Sequence, residues 1–310
     1  MNKYFQYILV LLALGVASPS LLAAELRPFT LALTSNNSMG RINEAVLESL
    51  KNNGFEILGD YRPEPDVTIY IITSKELKRV AAKTQFGAFG AAIHVSVTRV
   101  INQEGKEEIQ VAYNNPSYMA LAYNMDDSLK STKDNLARAL GAERDFGGAV
   151  DEERLPTYNY TFGLEGFTGF IELGNHADYR TAIRKVEAGL KNNKFGISQV
   201  FRIDIPGKNM SLFGLSLKSK VEDYPFINDA NVMKIIDYQQ PRRSAHLPYE
   251  VLVTEGRVIA MHAHFRIAIN FPDLKMFGNN GFGRLIQLPY DFEEFFTKAT
   301  GGQWPPVENW

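Results

Sequence analysis

The stretch "RINEAVLESLKNNGFEILGDYRP", residues 41–63, returns later in the chain as "YRTAIRKVEAGLKNNKFGISQVFRIDIP", residues 179–206. In the first copy Ile42, Val46, Leu47 and Leu50 are spaced to lie on one face of a helix, and in the second Ile183, Val186 and Leu190 are. Both helices end in the same "LKNN", whose asparagines suit a helix C-terminus, and both lead into a strand that opens on Phe55 or Phe195. This duplicated strand-helix-strand unit decides the fold, because a repeat that is missed misreads everything around it.

The rest of the chain pairs up in the same order. "VTIYIITSKELKRVA" (67–81) and "VMKIIDYQQPRRSA" (232–245) each read as a buried strand running into a short polar helix or turn. "AAIHVSVTRVINQEGKEEIQVAYNNPSYMALAY" (91–123) and "AHLPYEVLVTEGRVIAMHAHFRIAINFPDLKMF" (245–277) each read as two strands around a Gly-containing turn. They end at Asn-Asn-Pro (114–116) and Asn-Phe-Pro (270–272). Closing helices follow in "DDSLKSTKDNLARALG" and "LPYDFEEFFTKATG", stopped by Gly141 and Gly301.

Helices mixed with hairpins predict an α+β chain of two related domains, each a mainly antiparallel sheet with helices packed on one face. The first repeat spans 25–145 and the second 166–302, joined by a linker over 146–165 where the sequence is Gly-rich, charged and aperiodic. Residues 303–310 form a tail holding both tryptophans.

Residues 1–24 have one cation, Lys3, an apolar run from Tyr7 to Ala17, and small residues at Ala23 and Ala24. That pattern predicts a signal peptide cleaved after Ala24 and a periplasmic or secreted protein with no stable membrane span once the leader is removed. Its apolar run is short of the about 20 residues a spanning helix needs. The chain has no cysteine, which excludes disulfides, thiolate metal sites and thiol catalysis. With 33 Lys+Arg against 35 Asp+Glu, the balance argues against nucleic acid as the main partner.

Three pieces of the second repeat, "AIRKVEAGLKNNKFGI", "VMKIIDYQQP" and "LPYEVLVTEGRVIAMHAHFRIAINFPDL", together resemble the domain-of-unknown-function 302 family. In that family a helix ends in an "LKxxGF"-like turn, a strand ends in an Asn-Pro-like dipeptide, and an "LPxxVLVxE-G" hairpin follows. Asp237 to Pro241 holds the place of that strand end, with Gln240 where the family often has Asn, and Leu247-Pro248 opens the hairpin. The first repeat lacks the Leu-Pro. The resemblance implies a compact α+β domain with helices on one face of a sheet, and it carries over no catalytic residues.

Histidine placement is the main functional clue, since the chain has only five. A three-residue loop in "VTEGR", with Gly256 in the left-handed position, makes residues 258–270 the second strand of a hairpin in which Val253 faces Arg257. His246, His262, His264 and Glu250 then share one face, a donor set suited to zinc or copper. A two-residue Glu-Gly turn would shift the register by one and separate His246 from the pair. Against metal stands the simpler expectation of histidines that cover a polar or interdomain face. Arg266, with Arg242 and Arg243 nearby, suggests an anion site on the same side.

The Gly-rich stretches at 86–92 and 278–283 are not dinucleotide fingerprints, and the chain has no nucleophile elbow, zinc-protease helix or phosphate loop. The leading expectation is therefore a non-enzymatic periplasmic protein that binds a small ligand or another periplasmic protein, with no resident cofactor. The alternatives are a zinc- or copper-binding protein and a hydrolase whose site is assembled from scattered residues.

Overall fold

The computed structural model describes residues 24–161, 163–192 and 195–305, so most of the leader and the end of the tail lie outside the described residues. Two antiparallel sheets carry the chain. In the first, β2 (Phe29–Ser35), β3 (Glu56–Tyr61), β4 (Val67–Thr73), β5 (Ile93–Ile101), β6 (Glu107–Asn114) and β7 (Arg144–Phe146) lie in the order β3-β4-β5-β6-β2-β7. In the second, β9 (Phe170–Asn175), β10 (Ile197–Asp204), β11 (Met210–Leu217), β12 (Tyr249–Thr254) and β13 (Arg257–Met261) lie in the order β10-β11-β12-β13-β9. Matching β2 to β9 and β3–β6 to β10–β13 gives one order for five strands, to which β7 adds an edge in the first sheet. Even the irregularities correspond: the ladder skips Ala32 in β2 and Leu173 in β9, and it skips Leu58 in β3 and Val200 in β10. A bulge re-aims its strand and is a built feature, so two coincident bulges mark the same architecture used twice. The small strands β1 (Glu25–Leu26) and β8 (Val150–Asp151) pair beside the first sheet.

The helices form where the apolar spacing places them. Met39–Asn52 is capped by the Ser38 side chain and buries Ile42, Val46 and Leu50, while Tyr179–Asn192 buries Ala182, Ile183, Val186 and Leu190. Each helix covers one face of its own sheet. The other face of the first sheet turns toward the second repeat: Val67, Ile69 and Ile71 of β4 belong to a core shared with Phe201, Phe213 and Phe265, while Tyr70 and Ile72 face the first repeat's helices. Burial on both faces explains why β4 and β11 are apolar or small throughout instead of alternating. At the seam the backbones of β3 and β10 come so close that a Cβ at Gly59 would sit 2.6 Å from the Val200 carbonyl oxygen.

Four expectations are corrected. Residues 232–236, expected as a strand, belong to the helix Asp229–Ile236, which Asn228 caps by accepting from the Ala230 N–H at 3.1 Å. That helix matches Lys75–Ala81, and β11 takes the place of β4. The hairpin turn has two residues, so Thr254 faces Arg257 and Val253 faces Val258. Here Glu255, not the glycine, takes the positive φ of 57°. Gly256 is needed for close approach instead, because a Cβ there would lie 2.5 Å from the His176 carbonyl oxygen. The stretch 258–270 is a strand only as far as Met261, after which Ala263–Asn270 is a helix. Finally, Asn-Phe-Pro (270–272) closes that helix, whereas Asn-Asn-Pro (114–116) opens the helix Pro116–Ala122.

Candidate metal centre

The end of β13 creates the site. His262 leaves the strand with φ −57° and ψ 134° and caps the following helix, its side chain accepting from the His264 N–H at 3.3 Å through Nδ1. Capping of this kind satisfies one of the donors that every helix start leaves open. It sets the two imidazoles side by side, ring centroids 5.1 Å apart. Glu165 reaches them from the connection between the repeats, anchored by Phe167, which packs on Phe89, Tyr123 and Phe265 of the shared core.

Glu165 Oε2 lies 3.3 Å from His262 Nδ1 and 3.8 Å from His264 Nδ1. One ligand atom from each of the three side chains falls within 4.8 Å of the others. His262 Nδ1 accepts the His264 N–H, so its one lone pair is engaged in the cap, and a metal ion ligated there would take the place of that hydrogen bond. Both ring nitrogens of His264 and Glu165 Oε2 are buried with no hydrogen-bond partner. A neutral imidazole carries one N–H, so a ring proton of His264 faces the Glu165 carboxylate, and a cation bound between the carboxylate and the ring nitrogens would replace that proton. Tetrahedral zinc with bonds of about 2.0–2.1 Å separates its ligand atoms by about 3.3–3.4 Å, which the first contact matches and the second approaches.

Burial holds both histidines below their ordinary range. For His262 the carboxylate of Glu165 opposes this, and for His264 the neighbouring His262 adds to it. The positive end of the helix dipole acts in the same direction. Neutral imidazole is the form that ligates metal. Phe282 lies 5.1 Å from the His264 ring and is stacked on Tyr160 at 4.6 Å, so one side of the cluster is walled by aromatic rings.

The other expected site residues lie elsewhere. His246 is buried on Phe271, with Nδ1 3.0 Å from the Arg243 carbonyl oxygen, and burial takes its pKa down to about 3. Glu250 is buried between Arg266 Nε at 3.3 Å and His94 Nε2 at 3.2 Å. Burial pushes its carboxyl up, and Arg266 with His94 outweighs that and holds it below the usual range. Arg266 Nη2 donates to the carbonyls of His246 and Pro248. Arg242 pairs with Asp237 and Glu64, and Arg243 with Asp273. Each of the three arginines is thus neutralised by a carboxylate of the protein, and the structure does not gather them on one open face. At the seam, His94, Asn114, Tyr123, Glu250, Arg266 and Asn270 line a cavity of about 10 Å³, room for roughly one water molecule.

Sequence reasoning missed Glu165 and His94. Glu165 lies in the aperiodic connection and has no spacing to His262 that a motif would record. No helix among the described residues is long and apolar enough to cross a membrane. Comparison of the chain with protein-family models, with curated proteins and with solved structures found no match.

Proposed function

We propose that this is an exported, non-enzymatic metal-binding protein that holds zinc or copper through Glu165, His262 and His264. The observation that carries the reading is the convergence of a carboxylate oxygen and two imidazoles whose ligand atoms lie within 4.8 Å of one another. Two nitrogen ligands and one oxygen suit zinc and copper better than magnesium or calcium, which take oxygen ligands. Three protein ligands leave a fourth position for water or a small exogenous ligand. Export rests on the leader-like residues 1–24, and kinship with the domain-of-unknown-function 302 family on the hairpin opening at Leu247-Pro248.

Metal content tests this reading. Protein purified without chelator and dialysed against low-micromolar zinc or copper should carry close to one equivalent, and His262→Ala with His264→Ala should remove it while the far-ultraviolet circular dichroism stays the same. Wild-type protein that takes up no metal, or a double variant that takes up as much, rejects the reading.

A further inference from the structure

The connection between the last two helices differs between the repeats. In the first, helix Pro116–Ala122 reaches Lys130–Leu140 through residues 123–129, and in the second, Ala263–Asn270 reaches Leu288–Ala299 through residues 271–287. The fold closes with the short version, so the extra length in the second repeat is not needed for closure. It is nevertheless ordered on its inner side. Phe282 N–H donates to Lys275 O at 2.7 Å, Gly283 N–H to Met276 O at 2.9 Å, and Asn280 Nδ2 to Ile235 O at 2.9 Å, while Leu274, Phe282 and Leu285 are buried.

The outer side is apolar as well. Phe277 is 86% exposed, Ile286 61% and Tyr290 66%, three of the six large exposed apolar side chains among the described residues. Lys275 and Arg284 are exposed beside them, as is Lys234 on the helix to which the loop is tied. Residues 274–290 contain no carboxylate. Of the neighbouring acids, Asp273 is paired with Arg243, Asp291 is buried and Glu294 is paired with Lys298, while Glu293 faces a groove beside β9.

We propose that residues 274–290 dock this protein on an anionic lipid surface, with Phe277, Ile286 and Tyr290 entering the headgroup–acyl boundary and Lys275, Arg284 and Lys234 meeting lipid phosphates. Isolated exposed apolar residues are ordinary, but three within fourteen residues, interspersed with exposed cations in a segment without a carboxylate, match the two forces that hold interfacial segments. A protein partner would have to offer a pocket to a ring as prominent as Phe277. A bilayer accepts it without one.

Vesicle flotation of the chain from Glu25 onward, which contains every element described above, tests the proposal. Binding is expected to phosphatidylcholine vesicles containing about 30 mol % phosphatidylglycerol, weaker binding to phosphatidylcholine alone, and release at high salt. Phe277→Ser with Ile286→Ser should lower partitioning by about tenfold or more, and Lys275→Glu with Arg284→Glu should abolish the preference for anionic lipid. All four side chains are exposed, so circular dichroism and melting temperature should match wild type. Protein that stays off anionic vesicles, or that binds equally well after the Phe277 and Ile286 substitutions, overturns the proposal.

Discussion

Tyr61 of the first repeat donates its hydroxyl to Asp229 Oδ2 of the second at 2.6 Å, with both side chains buried at the seam. The Leu217 N–H donates to the same oxygen at 3.0 Å. Burial pushes the Asp229 carboxyl up to about 7, against the opposing pull of these two hydrogen bonds. The folded value exceeds the unfolded one, so the contribution of this group to stability is complete below about pH 4 and is lost as the pH rises through about 7. Urea unfolding should show wild-type stability falling over that window by roughly 2–4 kcal/mol relative to Asp229→Asn, which has no proton to lose. Parallel pH profiles for the two proteins would contradict this assignment.

Contact between the repeats depends on Gly59. A methyl group there would meet the Val200 carbonyl oxygen at 2.6 Å, and because that atom is backbone it can yield only if β3 and β10 separate. Gly59→Ala should therefore cost about 1–3 kcal/mol in chemical denaturation. Unchanged stability would mean that the strands are free to slide.

The buried pair Glu250–Arg266 should show the asymmetry expected of desolvated charges. Arg266→Met strands Glu250 at the seam and should destabilise the protein by about 3–5 kcal/mol. Adding Glu250→Gln should recover part of that loss, because the uncompensated charge is gone. If the double substitution is as damaging as the two single costs added together, the residues do not act as a pair.

What the sequence made legible follows from surface contrast. The repeat was readable in Ile42, Val46 and Leu50 because these buried positions alternate with exposed Arg41, Glu44 and Glu48. Residues 263–270 gave no such contrast, since all eight are buried, and "HAHFRIAI" then fits a period of two as well as a helix. β11 was passed over for a related reason: "MSLFGLSL" is buried on both faces and does not alternate. The hairpin register failed on one residue, Glu255, which adopts the positive φ that turn chemistry reserves for glycine. His262 and His264 were legible as a pair, but their carboxylate partner was not, because Glu165 comes from a connection without periodicity and joins them only in three dimensions.

Glu165 also separates the metal reading from a pair of histidines that merely cap a helix. With zinc present, Glu165→Gln should weaken binding about tenfold or more, since an anionic oxygen ligand becomes a neutral one, while the fold persists. Equal affinity in the two proteins would remove Glu165 from the centre.

The most direct measurement is X-ray absorption at the zinc edge of protein loaded with one equivalent. The account predicts a first shell of nitrogen and oxygen at about 2.0–2.1 Å, with outer-shell scattering from two imidazoles that disappears in the His262→Ala, His264→Ala protein. A spectrum without imidazole scattering, or one that the double substitution leaves unchanged, would contradict it.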